Sequence, residues 1–348
     1  MKPPPRRGRL ILLSRFIFSL FMAACLVSGQ GPLIGTIEIF GLSKVPKEKV
    51  RNALGAEEGK RLPRSKTDAE AQIEGIEGIV KANLEAVCCE EGKAVLYIGI
   101  EERGGPHFDF LTPPETEIRL PEEIEKEWIE FVASISLAAR RGNLSEDLTQ
   151  GHSLMADPDT RRIQEKFVDL ASKYHDVLVG VLRQAEDGQQ RAMAAFVLGY
   201  SGKKKQAADE LQRAIRDPDA TVRSNALQSL NALIVLAERD KEQGIRVTAT
   251  WFVEMLHSVY FTDRNRASIA LVNLTEKRDA AMLAQLRDRA LNSLIEMAAW
   301  RSLGHALPAF ILLGRIAGLA EERIQELWKE SKYEDLLKQV KQRGKRRP

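Results

Sequence analysis

The apolar residues follow two regimes along the chain. In "LIGTIEIFGL", Ile37 and Ile39 alternate with Thr36 and Glu38, the period of a half-buried strand that ends at a turn at Gly41. "VPKEKVRNALG" spaces Val45, Val50 and Leu54 for a helix, and Gly55 stops it. "KTDAEAQIEGIEGI" gives a second helix on Ala69, Ile73 and Ile76. "VKANLEAVCCEEGKAVLYIGIEE" reads as a hairpin turning at residues 90–93. Val80, Ala82, Leu84, Ala86 and Cys88 share one face of the outgoing strand, and Leu96, Ile98 and Ile100 point inward on the return. The predicted order over residues 33–103 is strand, helix, helix, strand, strand.

Residues 104–120, "GGPHFDFLTPPETEIRL", are rich in Gly and Pro and lack a helical period, which predicts a linker between parts that fold separately. Beyond them the period is helical. Residues 121–174 open with Ile124, Trp128, Phe131, Val132 and Ile135 on one stripe, acids in the first turn and Arg140 and Arg141 in the last, as the helix dipole favours. "GNLSEDLTQGHSLMADPDT" reads as a looser loop, and the helical pattern after it breaks near Tyr174.

Residues 175–320 repeat a motif. Arg191 precedes Ala194, Ala195 and Leu198 at the offsets by which Arg223 precedes Ala226, Leu227 and Leu230. His305, Pro308, Ala309 and Leu312 follow the same offsets, and Arg266, Ala270, Leu271 and Leu274 follow them with one extra residue. An amphipathic helix precedes each set. Helix pairs recurring at roughly 30–45 residues predict an α-solenoid, in which each pair buries its apolar face on the next. "EERIQELWKE" and "YEDLLKQVKQ" within residues 321–348 supply a polar helical cap before a basic tail. The fold class expected is mostly α: a solenoid of helix pairs preceded by a small β-α-α-β-β module.

Two resemblances rest on these residues. Ile37, Ile39, Gly41, Val45, Val50, Gly59, Ile73, Ile98, Ile100 and Glu101 resemble the pattern of a POTRA domain, although Gly41 follows Ile39 after the single residue Phe40. That resemblance implies a module outside the cytoplasmic membrane that binds partners through a sheet edge, and it brings no catalytic residues. The edge it implies is the strand of residues 79–89, whose outward face carries Lys81, Asn83 and Glu85. The helix pairs resemble HEAT repeats, including the bilin-lyase type, most clearly in "DPDATVR" with Asp217, Val222 and Arg223. In that family an Asp six residues before the Arg helps tie neighbouring repeats into a ladder of hydrogen bonds. Ala185, Tyr260 and Ala299 stand at that position elsewhere, so the resemblance supports the ladder only at Asp217 and Arg223.

Residues 1–30 change where the protein is expected to act. Lys2, Arg6, Arg7, Arg9 and Arg15 stand there without an acid, followed by an apolar run over residues 10–29. This is the pattern of an export signal. Three processing routes fit: cleavage before Gln30, lipidation of Cys25 within "MAAC", or retention as a membrane anchor. The net charge of +3 is set by this segment and by the tail, where Lys338, Lys341, Arg343, Lys345, Arg346 and Arg347 stand without an acid. The body between them is acidic, which argues against a broad nucleic-acid surface.

Candidate chemistry is sparse. Phosphate-loop, dinucleotide, nucleophile-elbow and zincin motifs are missing from the sequence, and His107, His152, His175, His257 and His305 lack metal-ligand spacing. His257, on an apolar helix, reads as a satisfied histidine. "SGKK" at residues 201–204 reads as a solvated turn. Cys88 and Cys89 read either as one core and one surface thiol or as a vicinal or partner-linked disulfide; neighbours on a regular strand cannot bridge without distortion. The expectation is a non-enzymatic exported scaffold for protein partners in the cell envelope, with no cofactor. An envelope assembly or secretion accessory using the sheet edge is the main alternative, followed by an enzyme with a solenoid platform and a chromophore-handling factor.

Overall fold

A computed structural model of the protein describes residues 32–345. Its first part has the predicted element order: β1 (Ile34–Phe40), α1 (Lys47–Leu54), α2 (Lys66–Glu74), β2 (Ile79–Glu90) and β3 (Lys93–Glu102). The strands lie in the order β1-β3-β2, with β1 parallel and β2 antiparallel to β3. A parallel pair requires a crossover, and α1 and α2 supply it. Gly55 ends α1 at φ 64, a conformation that favours glycine. Ser65 opens α2 by accepting from the Asp68 N–H.

One face of the sheet packs on the two helices. Ile37, Ile39, Leu84, Leu96, Ile98 and Ile100 meet Val50, Leu54, Ala69 and Ile73 there. The face expected of β2 starts later than its sequence suggests. A register shift between Ile79 and Lys81 turns Ile79 inward and leaves Val80 52% exposed, so the inward set begins at Ala82.

The rest is helical: α3 (Glu122–Arg140), α4 (Pro158–Lys173), α5 (His175–Gln184), α6 (Gly188–Leu198), α7 (Lys204–Ala214), α8 (Ala220–Arg239) and α9 (Thr250–Met255). There follow α10 (Phe261–Leu274), α11 (Ala280–Ala298), α12 (Leu303–Ile316), α13 (Glu321–Lys329) and α14 (Tyr333–Lys345). The pairs α5/α6, α7/α8, α9/α10 and α11/α12 stack through their second helices into a helical repeat solenoid, with one apolar core running from α3 to α14. Asp157, Asp187, Asp219 and Asp279 accept from first-turn N–H groups of the helices that follow them, caps each worth about 1 kcal/mol.

Two stretches depart from expectation. The looser loop before α4 is a hairpin of half-buried β4 (Glu146–Asp147) and buried β5 (Leu154–Met155). On α3, Val132 is 38% exposed, beside Ile129 at 68% and Leu137 at 54%, so it leaves the core stripe and joins an outer apolar face.

Candidate interaction site along the repeat turns

In the first three pairs, the first turns of the second helix carry an arginine that points back into the solenoid. Arg191 on α6 donates to the Ala185 and Glu186 carbonyls of its own turn at 2.8 and 2.9 Å, and bidentately to Asp217 of the next turn at 2.8 and 2.9 Å. Arg223 on α8 repeats this, with Nη1 on the Asp217 and Pro218 carbonyls and Nε 2.9 Å from Asp263. Arg264 on α10 donates to Ser258 O at 2.7 Å and to Glu296 at 3.1 Å. Asp217 and Arg223 both take part in these contacts, but the two are not joined side chain to side chain. Asp217 serves the preceding Arg191, while Arg223 reaches forward. Val222 is fully buried beside them.

The third unit corrects the sequence register. Arg264, not Arg266, occupies the ladder position, since its carbonyl contact lies six residues back, as for Arg191 and Arg223. Ser258 stands there in place of an acid, and its hydroxyl donates to Asp263 at 2.7 Å, which carries the charge instead. The fourth unit has His305 at this position. Its Nδ1 lies 2.7 Å from Tyr97 Oη of β3 and 2.9 Å from Ser302 Oγ, and burial lowers its pKa to about 4, which keeps the ring neutral.

Residues 104–120 are an ordered strap laid along these turns. Leu111 N–H donates to Arg216 O, Thr116 N–H to Gln184 O, and Glu186 N–H to Thr116 O. The Leu120 N–H donates to Gln190. Phe110 and Tyr260 cover the Arg223 guanidinium at 4.4 and 4.6 Å, which accounts for the buried Nη2 that has no hydrogen bond. The strap is thus no free linker.

The second face of the sheet continues that cover. Tyr97 stacks on Phe261 at 3.7 Å and meets the Trp300 edge. Gly99 lies so close to the α9/α10 turn that a Cβ there would sit 1.8 Å from the Val259 carbonyl oxygen. The face carrying Lys81, Asn83 and Glu85 is turned onto the solenoid, which corrects its expected outward exposure. Lys81 lies over the Phe110 and Tyr260 rings, Asn83 is buried, and Glu85 accepts from the Thr262 N–H and hydroxyl. Burial raises the Glu85 pKa.

The sheet edges differ from one another. Along β2, the outward amides of Ala82 and Leu84 donate to Glu74 and Glu70, carboxylates one turn apart on α2. A strand added there would have to displace both. Along β1, Ile37 N–H donates to Glu58, Ile37 O accepts from Arg301, and Gly41 N–H donates to Glu296. A cleft of about 380 Å³ opens beside Ile39 between these clamps. Glu102 shapes its far rim: burial opposes its charge, but donors from Ser43, Val45 and Lys44 hold its pKa down at about 2.

The β4/β5 hairpin brings together two further perturbed groups, Glu146 and Lys204. Glu146 accepts from Ser153 and Gln228, and burial raises its pKa to about 7. Lys204 reaches the Gly151 and Gly199 carbonyls, and burial lowers its pKa to about 8. Ser201 corrects the solvated reading of its turn: it is buried and hydrogen-bonded to His175. His257 is satisfied by Arg289 O and Ser293. Cys88 and Cys89 are joined as a vicinal disulfide, not left as one core and one surface thiol. Cys25 and the rest of the expected export signal lie outside the described residues. Among the described residues, no group of three His, Cys, Asp or Glu could hold a metal, and no helix is long and apolar enough to cross a membrane.

The family model of HEAT repeats matches residues 176–271, the stretch holding Arg191, Arg223 and Arg264. No curated protein matches the chain. Among solved structures, the chain is similar to a designed armadillo repeat protein in complex with the peptide (KR)4 (16% identity, 55% of this chain, 89% of that chain, TM-score 0.35). It is also similar to a second designed armadillo repeat protein (18% identity, 55% of this chain, 89% of that chain, TM-score 0.35).

Proposed function

We propose that the protein is a non-enzymatic scaffold, exported to the cell envelope, that binds protein partners. The observation that carries the scaffold reading is the HEAT-matching solenoid, a fold whose stacked helices give an extended surface for other chains. The turns and the arginine ladder are consumed by the protein's own strap and sheet. Partners are therefore assigned to the surfaces left over: the outer face of α3 with Ile129, Val132 and Leu137, and the cleft beside β1. Export rests on the basic and apolar leader, and the POTRA-like reading of the βααββ module agrees with it.

The test is capture of partners by in-cell cross-linking to the full chain, with fractionation of the same cells. The expected result is a mature chain outside the cytoplasm, shortened or lipid-anchored, with defined protein partners that Leu137→Glu or a β1-cleft variant removes. A full-length chain found only in cytosol contradicts the export reading. A full chain without cross-linked partners contradicts the scaffold reading. The second reading, an assembly accessory that binds an extended segment at the sheet edge, is supported by the βααββ module and its two edge strands, β1 and β2.

A further inference from the structure

Cys88 and Cys89 are joined to each other near the end of β2, just before the turn into β3. A disulfide stabilises a fold mainly by closing a loop in the unfolded chain, and the effect grows with the length of that loop. No residue lies between these two, so the bond ties no distant parts of the chain together. Its consequences are local. Neighbouring side chains on a regular strand point to opposite faces, whereas here the β2/β3 pairing shifts register between Val87 and Glu90, across the joined pair. Glu90 follows directly and accepts from the Ser302 hydroxyl at the start of α12. Ser302 is buried, and its Oγ lies 2.9 Å from His305 Nδ1, which lies 2.7 Å from Tyr97 Oη. The disulfide therefore borders the contact by which the sheet closes onto the fourth repeat unit. Cys89 is exposed and Cys88 half-buried, so the Cys89 sulfur is open to a thiolate from solvent.

We propose that Cys88 and Cys89 form a thiol-exchange site whose redox state controls how firmly the sheet is held on the fourth repeat unit. The co-reactant is a dithiol on another molecule. One of its thiols loses a proton and attacks Cys89 Sγ; the S–S bond breaks, and Cys88 leaves as a thiolate that takes up a proton. The second thiol, deprotonated in turn, attacks the mixed disulfide and releases Cys89, which is protonated. Two electrons pass to the protein, and the dithiol is left as a disulfide; a disulfide oxidant reverses the exchange. Once separate, Cys88 can share the face of Ala86, which packs toward the module's helices, and Cys89 that of Val87, which packs toward the solenoid. That rearrangement moves Glu90 and loosens its hold on Ser302. The inference goes beyond the scaffold reading and does not depend on it.

The test uses the full chain, with dithiothreitol as the dithiol and oxidised glutathione as the reverse reagent. Alkylation and peptide mapping should find Cys88 and Cys89 joined after oxidised glutathione, and both alkylated after dithiothreitol without denaturant. Hydrogen exchange then reads the contact at the His305 and Ala306 amides, which donate to Ser302 O at 3.1 and 3.0 Å. Reduction should speed their exchange at least about tenfold, and reoxidation should restore it. Glu90→Ala should show the faster exchange in both redox states. Cys88→Ser together with Cys89→Ser should show it with or without the dithiol. Reduction should move the helical melting midpoint by under about 2 °C, because so short a loop contributes little. A larger fall would make the bond a structural staple and overturn the switch. Cysteines that stay unjoined after oxidised glutathione, a disulfide that yields to dithiothreitol only in denaturant, or unchanged exchange at His305 and Ala306 after reduction would overturn it too.

Discussion

Three of the four repeat turns hold an arginine that closes onto the next turn; the fourth holds His305 and closes onto Tyr97 of the sheet. The difference shows what the ladder is for in this molecule. Where it runs, a buried guanidinium is matched by carbonyls and a carboxylate from the solenoid itself. Where it stops, the same position faces another module. Arg264 is the junction of the two regimes, because its partner Glu296 also accepts from Gly41 and its guanidinium lies 4.5 Å from the Phe40 ring. The sheet thus occupies the place that a further ladder rung would fill.

Breaking a rung should cost most. Arg223→Ala leaves Asp263 buried without its cation and should destabilise by about 3–5 kcal/mol in urea unfolding. Restoring hydrophobic matching with Arg223→Met and Asp263→Leu together should recover much of that loss. A loss under about 1 kcal/mol for Arg223→Ala would make the ladder incidental.

Breaking the sheet's seat should come next. Gly99→Ala forces a Cβ onto the Val259 carbonyl and should cost about 1–3 kcal/mol. It should also make residues 104–120 accessible to limited proteolysis. Protection equal to wild type would show that the close approach is not needed for docking.

Titration sharpens the comparison further. His305 has a folded pKa of about 4, below its unfolded value, so its contribution is present above pH 6.5 and is lost as pH falls toward 4. His305→Gln, which keeps a hydrogen-bonding group for Tyr97, should lower the melting midpoint less than wild type between pH 7.5 and 5. Glu146 has the opposite sign. Its folded pKa of about 7 is raised, so its contribution is present below about pH 4.5 and is lost as pH rises through 7. Glu146→Gln should therefore raise the midpoint at pH 8 by about 2–4 °C and do little at pH 5. The smallest effect belongs to Asn83→Ala, under about 1 kcal/mol, because Lys66 keeps Glu70 and Glu85 keeps Thr262.

Much of this was legible in the residues, but unevenly. Period-2 and helical spacing place all five elements of the module, and Gly41, Gly55 and the residue 90–93 turn mark its corners. The helix pairs and Asp217 with Arg223 follow from offsets and the turn sequence. The rest depends on contacts between distant residues. Asp263 lies one residue before Arg264, not six, so a search for the Asp217 spacing passes over it, although Ser258 at the expected place donates to it. Residues 104–120 have a linker's composition because they lack regular structure, yet their amides and carbonyls bond to the turns. The polar side chains of Lys81, Asn83 and Glu85 suggested a solvated face, whereas Thr262 and two aromatic rings receive them. Glu70 and Glu74, one helical turn apart, were the sequence signal for a protected β2 edge.

The central claim is that strap, sheet and solenoid are one folding unit built on the repeat turns. Thermal unfolding of the full chain, followed at once by helical circular dichroism and by fluorescence of a variant that retains only Trp300, tests it most directly. Trp300 reports the seat of the sheet, and the dichroism reports the helices. The account predicts a single coincident transition, which Gly99→Ala shifts in both signals together. An early Trp300 transition with the helical signal unchanged would show a module that undocks and melts by itself, and would contradict it.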